Sequence, residues 1–143
     1  MSAVTAVPFL DLSTAFKALE AEWLETIRAS GAKGSFILGP QTVEFEKEFA
    51  QYVGVKHAIG VANGTDSLVL SLRALGIGPG DEVITTPWTF FASAESISIV
   101  GATPVFVDIR PDTYCLDPDS IVKRLTPKTR AIMPVHIFGH AAD

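Results

Sequence analysis

At 143 residues, with 48% hydrophobic and 19% charged side chains, the chain has the make-up of one globular domain with a real core, which excludes intrinsic disorder. Its 11 Lys and Arg against 16 Asp and Glu give a net charge of −5, and the basic residues are scattered rather than striped, which excludes nucleic acid as a partner. One cysteine (Cys115) cannot form an internal disulfide, the first eight residues lack a signal peptide's basic start, and no apolar run reaches the roughly 20 residues that cross a bilayer, so the composition predicts a cytoplasmic α/β protein.

Residues 1–10 read as an extended arm ending at Pro8-Phe9-Leu10. From Ser13, Phe16, Leu19, Trp23, Leu24 and Ile27 recur at helical spacing, with Ser13 as the expected cap. Residues 30–40 read as a glycine-rich loop. A second amphipathic helix follows, with Val43, Phe45, Phe49 and Tyr52 on its apolar side and an end at Gly54. From there strand and helix alternate: strand Ala58–Ala62, helix Thr65–Leu75, strand Glu82–Thr86, helix Phe91–Val100, strand Pro104–Ile109, helix Asp117–Leu125 and strand Ala131–Val135. Near-continuous apolar strands mark a parallel sheet covered on both faces. The pattern predicts an α/β fold: a three-layer α/β/α, mostly parallel sheet in residues 58–143, preceded by an arm, two helices and a loop in residues 1–57.

Sheets of this kind bind ligands beyond the carboxyl ends of their strands. Three segments fall there: Asn63-Gly64-Thr65, Trp88-Thr89-Phe90 and His136. At the first, Asn63 can cap the helix and Asp66 can bond back to the Asn63 N–H, an arrangement that needs no ligand. Gly64 favours an anion instead, because its backbone admits close approach and the Thr65 hydroxyl can donate to the same group. At the second, alternation puts Trp88 and Phe90 on one side and Phe91 on the other, where they form core or one of them stacks on a flat ligand. A phosphate cradle beside an aromatic platform fits a cofactor with both a phosphate and a ring. Two other patterns fail. His136 and His140 lie four apart near Asp143, but Gly139 and the preceding strand argue against a helix presenting both to a metal. The glycines of Gly76–Gly80 precede a strand, whereas a dinucleotide fingerprint follows one.

Several segments recur together in one known family: Phe9-Leu10-Asp11-Leu12, Leu38-Gly39-Pro40 with Glu44-Phe45-Glu46, Asn63-Gly64-Thr65-Asp66, Gly78 to Ile84, Pro87 to Phe90, Pro104 to Asp108 and Pro134-Val135-His136. In that order they resemble the N-terminal part of the DegT/DnrJ/EryC1/StrS sugar aminotransferases, over essentially the whole chain. The resemblance implies the N-terminal portion of the large domain of the fold type I pyridoxal-phosphate transferases, and pyridoxal 5'-phosphate as cofactor. By the same resemblance, Gly64 and Thr65 hold the cofactor phosphate and Phe90 stacks on its ring. The implied reaction moves an amino group, usually from glutamate, to a keto carbon of a nucleotide-linked sugar. A homodimer with sites at the subunit interface, and the loop from Gly34 to Pro40 near the site, are also implied.

The family's Schiff-base lysine, and the aspartate that pairs with the pyridine nitrogen, lie beyond the segment around His136. Neither position falls within these residues, so the chain supplies no catalytic residue and is expected to be inactive by itself. None of Lys17, Lys33, Lys47, Lys56, Lys123 and Lys128 stands where the nucleophile belongs. Two charge-assisted hydrogen bonds contribute ~1.5–3 kcal/mol each and stacking about 1 kcal/mol. After association entropy, that lets the isolated chain touch the cofactor without holding it. The competing reading is a truncated relative without catalysis that binds a phosphorylated ligand or pairs with a full-length homologue.

Overall fold

The computed structural model describes residues 8–143, so most of the arm expected over residues 1–10 lies outside the described residues. The chain divides into two compact units, one ending at Gly60 and one spanning Val61–Asp143.

The first unit holds helices α1 (Ser13–Lys33) and α2 (Pro40–Val53). Ser13 is not the cap of α1. The Asp11 carboxylate takes that role, accepting from the Ser13 N–H at 2.9 Å and from the hydroxyls of Ser13 at 2.6 Å and Thr14 at 2.8 Å. A carboxylate at this position also meets the positive end of the helix dipole, which a serine hydroxyl does less well. Nor does the helix stop at residue 30. It continues through Gly31 to Lys33 and closes at Gly34, whose φ of 63° only glycine adopts without strain. Helix α2 opens on Pro40, whose missing N–H is no loss in a first turn, and closes on Gly54 at φ 77°. The helical spacing of the apolar residues is as expected, but Phe16, Trp23 and Ile27 on α1 and Phe45, Phe49 and Tyr52 on α2 remain exposed.

Ala58–Ala62 is not a strand. An apolar segment becomes a strand only when another strand accepts its ladder. Here the Gly60 N–H instead goes to the Glu46 carboxylate, at 2.6 Å.

The second unit holds α3 (Gly64–Ala74), β1 (Glu82–Thr85), α4 (Ala92–Ile99), β2 (Thr103–Phe106), α5 (Pro118–Val122) and β3 (Thr129–Ile132). The strands form a parallel sheet in the order β2-β1-β3, with Ile84 facing Val105 on one side and Ile132 on the other. The parallel sheet expected from the apolar strands is present, with helices on both faces. Central strand β1 shows why. Val83, fully buried, packs with Leu72 of α3 and Ile97 of α4, while Ile84, one residue on and equally buried, packs with Val107 and Leu116 and draws in Ile121 of α5. Strand β2 is shorter than expected: Val107 still donates to the Thr85 carbonyl at 2.9 Å, but Ile109 turns away to bridge Leu116.

Candidate functional site

Helix α3 begins where the sequence places an anion site. The Asn63 side chain accepts from the Asp66 N–H at 2.9 Å and donates its amide to the Asp66 carboxylate at 3.0 Å. The expected reciprocal cap therefore forms, but its return bond comes from the Asn63 side chain rather than from its backbone N–H. This uses the N–H of the third helical residue. The N–H groups of Gly64 and Thr65, and the Thr65 hydroxyl, have no partner among the described residues. A Cβ placed on Gly64 would meet nothing within 4 Å, so open space lies beside this first residue of the helix.

That space belongs to a cavity of about 520 Å³ at the carboxyl edge of the sheet. Gly64 and Thr65 line it from α3, Thr89 and Phe90 from the turn after β1, Ser93 from α4, and His136 from the segment after β3. The three residues singled out for cofactor contact, Gly64, Thr65 and Phe90, thus lie around one cavity, with His136 beside them.

Short side-chain bonds fix the walls. The Thr85 hydroxyl donates to the Met133 carbonyl at 3.0 Å, tying the end of β1 to the residues that follow β3. The Thr86 hydroxyl accepts from the Trp88 N–H at 3.0 Å, and the hydroxyls of Thr89 and Ser93 meet at 2.9 Å. These bonds make residues 86–91 a turn, so the strand-like alternation expected for the aromatics does not apply. β1 ends at Thr85, and Pro87 has no N–H to extend a ladder. Trp88, Phe90 and Phe91 are consequently all exposed, Phe90 at 78%. Trp88 is engaged by Tyr114, the rings 6.4 Å apart at 25°. Phe90 presents the uncommitted ring in the cavity wall.

His136 and His140 do not share a site. His140 lines a separate cavity of about 300 Å³ with Arg110 and Cys115. Among the described residues no three His, Cys, Asp or Glu side chains cluster as metal ligands would. Ser93 was not anticipated as a lining residue; the available signal was its place four residues after Thr89, on the same face of a helical start.

The profile of the DegT/DnrJ/EryC1/StrS aminotransferase family matches residues 17–143. A dTDP-3-amino-3,4,6-trideoxy-alpha-D-glucose transaminase of Streptomyces venezuelae is 50% identical over 137 residues, covering 96% of this chain and 36% of that protein. The crystal structure of S. venezuelae DesV in complex with a ketimine intermediate superimposes with a TM-score of 0.94 at 48% identity, over 98% of this chain and 38% of DesV. NtdA from Bacillus subtilis, with bound cofactor PMP, superimposes with a TM-score of 0.93 at 38% identity, over 98% of this chain and 32% of NtdA. The chain thus spans little more than a third of the length of the curated relatives it matches.

Proposed function

Because this chain belongs to the DegT/DnrJ/EryC1/StrS aminotransferase family, we propose that it forms the phosphate- and ring-holding side of a pyridoxal 5'-phosphate site. The reaction served is transfer of an amino group, in this family usually from glutamate, to a keto carbon of a nucleotide-linked sugar. The observation that carries this reading is the presence of Gly64, Thr65 and Phe90 around one cavity of about 520 Å³. The donor set suits the cofactor. Two unpartnered N–H groups at a helix start and the adjacent Thr65 hydroxyl match a phosphate, and the exposed Phe90 ring matches a pyridine face. When bound, pyridoxal phosphate supplies an electron sink at the carbon that carries the amino group. The work of these residues is to bind and orient: α3 fixes one end of the cofactor, Phe90 fixes the plane of its ring, and the tie from Thr85 to Met133 keeps the two walls in register. No lysine is among the residues lining the cavity, so these residues position the cofactor and the nucleophile comes from outside them. The exposed apolar sides of α1 and α2 support a homodimer. A nucleotide-sugar substrate and a buried free thiol at Cys115 support a cytoplasmic setting.

The test is a spectrophotometric titration with pyridoxal 5'-phosphate of the protein expressed from its complete gene, and of its Gly64→Val variant. A Cβ there meets nothing within 4 Å, so the melting temperature should hold while the branched side chain extends into the phosphate position and affinity falls at least tenfold. Equal affinity in the two proteins would place the cofactor elsewhere.

A further inference from the structure

His136 stands on the cavity wall and is exposed, yet one of its ring nitrogens is already committed. The backbone N–H of Ala142 donates to its Nδ1 at 3.0 Å. A nitrogen that accepts carries no hydrogen, so the hydrogen of the neutral ring is on Nε2. Nε2 has no partner among the described residues. The result is an imidazole held in one tautomer, with a single donor left over, in the wall of a cavity whose other donors sit at the start of α3.

We propose that His136 is a cofactor-binding residue whose Nε2–H donates to the ring hydroxyl oxygen of the bound pyridoxal 5'-phosphate; this rests on the reading of the site given above. The assignment follows by division of the cofactor. Its phosphate suits the Gly64 and Thr65 N–H groups, and its ring face suits Phe90. Besides the phosphate, the oxygen common to the aldehyde and amine forms of the cofactor is the ring hydroxyl, on the ring edge. A donor at the end of a third segment, after β3, serves that edge. A hydrogen bond there favours the ionised ring oxygen, because donation strengthens as the acceptor gains charge. The Ala142 bond is the positioning element: it fixes which nitrogen donates, as partners of this kind do for imidazoles in metal sites.

Two substitutions separate the nitrogens. Asparagine places its amide oxygen where Nδ1 lies, so His136→Asn retains an acceptor for Ala142 and loses the Nε2 donor. Glutamine reaches the Nε2 position, so His136→Gln retains a donor there and loses the Nδ1 acceptor. The probe is pyridoxamine 5'-phosphate, which carries the ring hydroxyl and the phosphate but no aldehyde, so its binding is independent of any lysine. It is titrated into the protein expressed from its complete gene, and the melting temperature and the absorption maximum of the bound probe are recorded. His136→Asn should weaken binding about tenfold, or about 1.4 kcal/mol, and shift the absorption maximum at an unchanged melting temperature. His136→Gln should bind within about threefold of the parent and melt lower. Parent-like affinity and spectrum in His136→Asn would overturn the assignment and leave the histidine as a loop staple alone. So would the reverse order of the two variants. A parent protein that does not bind the probe would overturn the cofactor site itself, and this inference with it.

Discussion

Replacing Phe90 by alanine separates a ligand platform from a core aromatic. Truncating a fully buried phenylalanine costs about 3–5 kcal/mol of folding stability. Phe90 is 78% exposed, which leaves roughly a fifth of it covered, so the expected loss is below about 1 kcal/mol. Binding should suffer far more. Ring stacking contributes roughly 0.5–1.5 kcal/mol beyond area burial, and covering the exposed ring with a cofactor adds about 1–2 kcal/mol. The sum, about 1.5–3.5 kcal/mol, is a loss of between roughly tenfold and several-hundredfold in cofactor affinity. A fluorescence titration with pyridoxamine 5'-phosphate gives the affinity, urea denaturation gives the stability, and Phe90→Tyr, which retains the ring, should behave as the parent. Unchanged affinity in Phe90→Ala would show that the ring does not stack on the cofactor. A stability loss above about 2 kcal/mol would show that it is core after all.

The opposite result is expected within the sheet. Ile97 is fully buried against Leu72 and Val83, so Ile97→Ala should destabilise by about 2–5 kcal/mol in urea denaturation, and a loss under 1 kcal/mol would mean that this cluster is not the core of the second unit. At the start of α1, the hydroxyl of Ser13 above all, with Thr14, draws the Asp11 carboxyl from 3.8 down to about 2. The folded-state value lies below the unfolded one, so the support this carboxylate gives the helix start is complete above about pH 4 and fades as the pH falls toward 2. The protection factors of the first-turn amides, which are exchange rates corrected for the intrinsic pH dependence, should fall over that window in the parent and stay level in Asp11→Ala; an identical response in both would remove Asp11 as the cap.

Helix positions were legible because the helical period is a property of the chain itself: Phe16 to Ile27 announces α1 and Val43 to Tyr52 announces α2. What those faces pack against is not, and the same residues remain exposed. The cavity was legible by rule for Phe90 and His136, since residues just past parallel strands gather at one edge; Thr65 lines the same cavity from the start of α3, although no strand among the described residues precedes that helix. The failures share one cause, competition between local partners that the sequence does not rank. Asp11 outcompetes Ser13 as a cap, Glu46 takes the N–H of Gly60 that a ladder would have used, and Thr86 folds the aromatic segment into a turn.

The anion recognition proposed here for a chain of net charge −5 depends on how the start of α3 shares out its donors. The one acidic residue in that turn, Asp66, is tied to the Asn63 amide at 3.0 Å, and its own N–H closes the cap. The dipole therefore faces outward through the N–H groups of the first two residues, the first of them a glycine with open space beside it. None of the lining residues is a lysine or arginine, and His136 is the ionisable one among them. A lysine would draw any anion that reached it. Neutral, fixed N–H groups select by shape and distance instead, and a ring wall opposite them rewards only an anion that carries a flat body. Bonds between buried elements hold that spacing, chiefly the one from Thr85 to the Met133 carbonyl. In the proposed site, selectivity is thus set by bonds within the sheet.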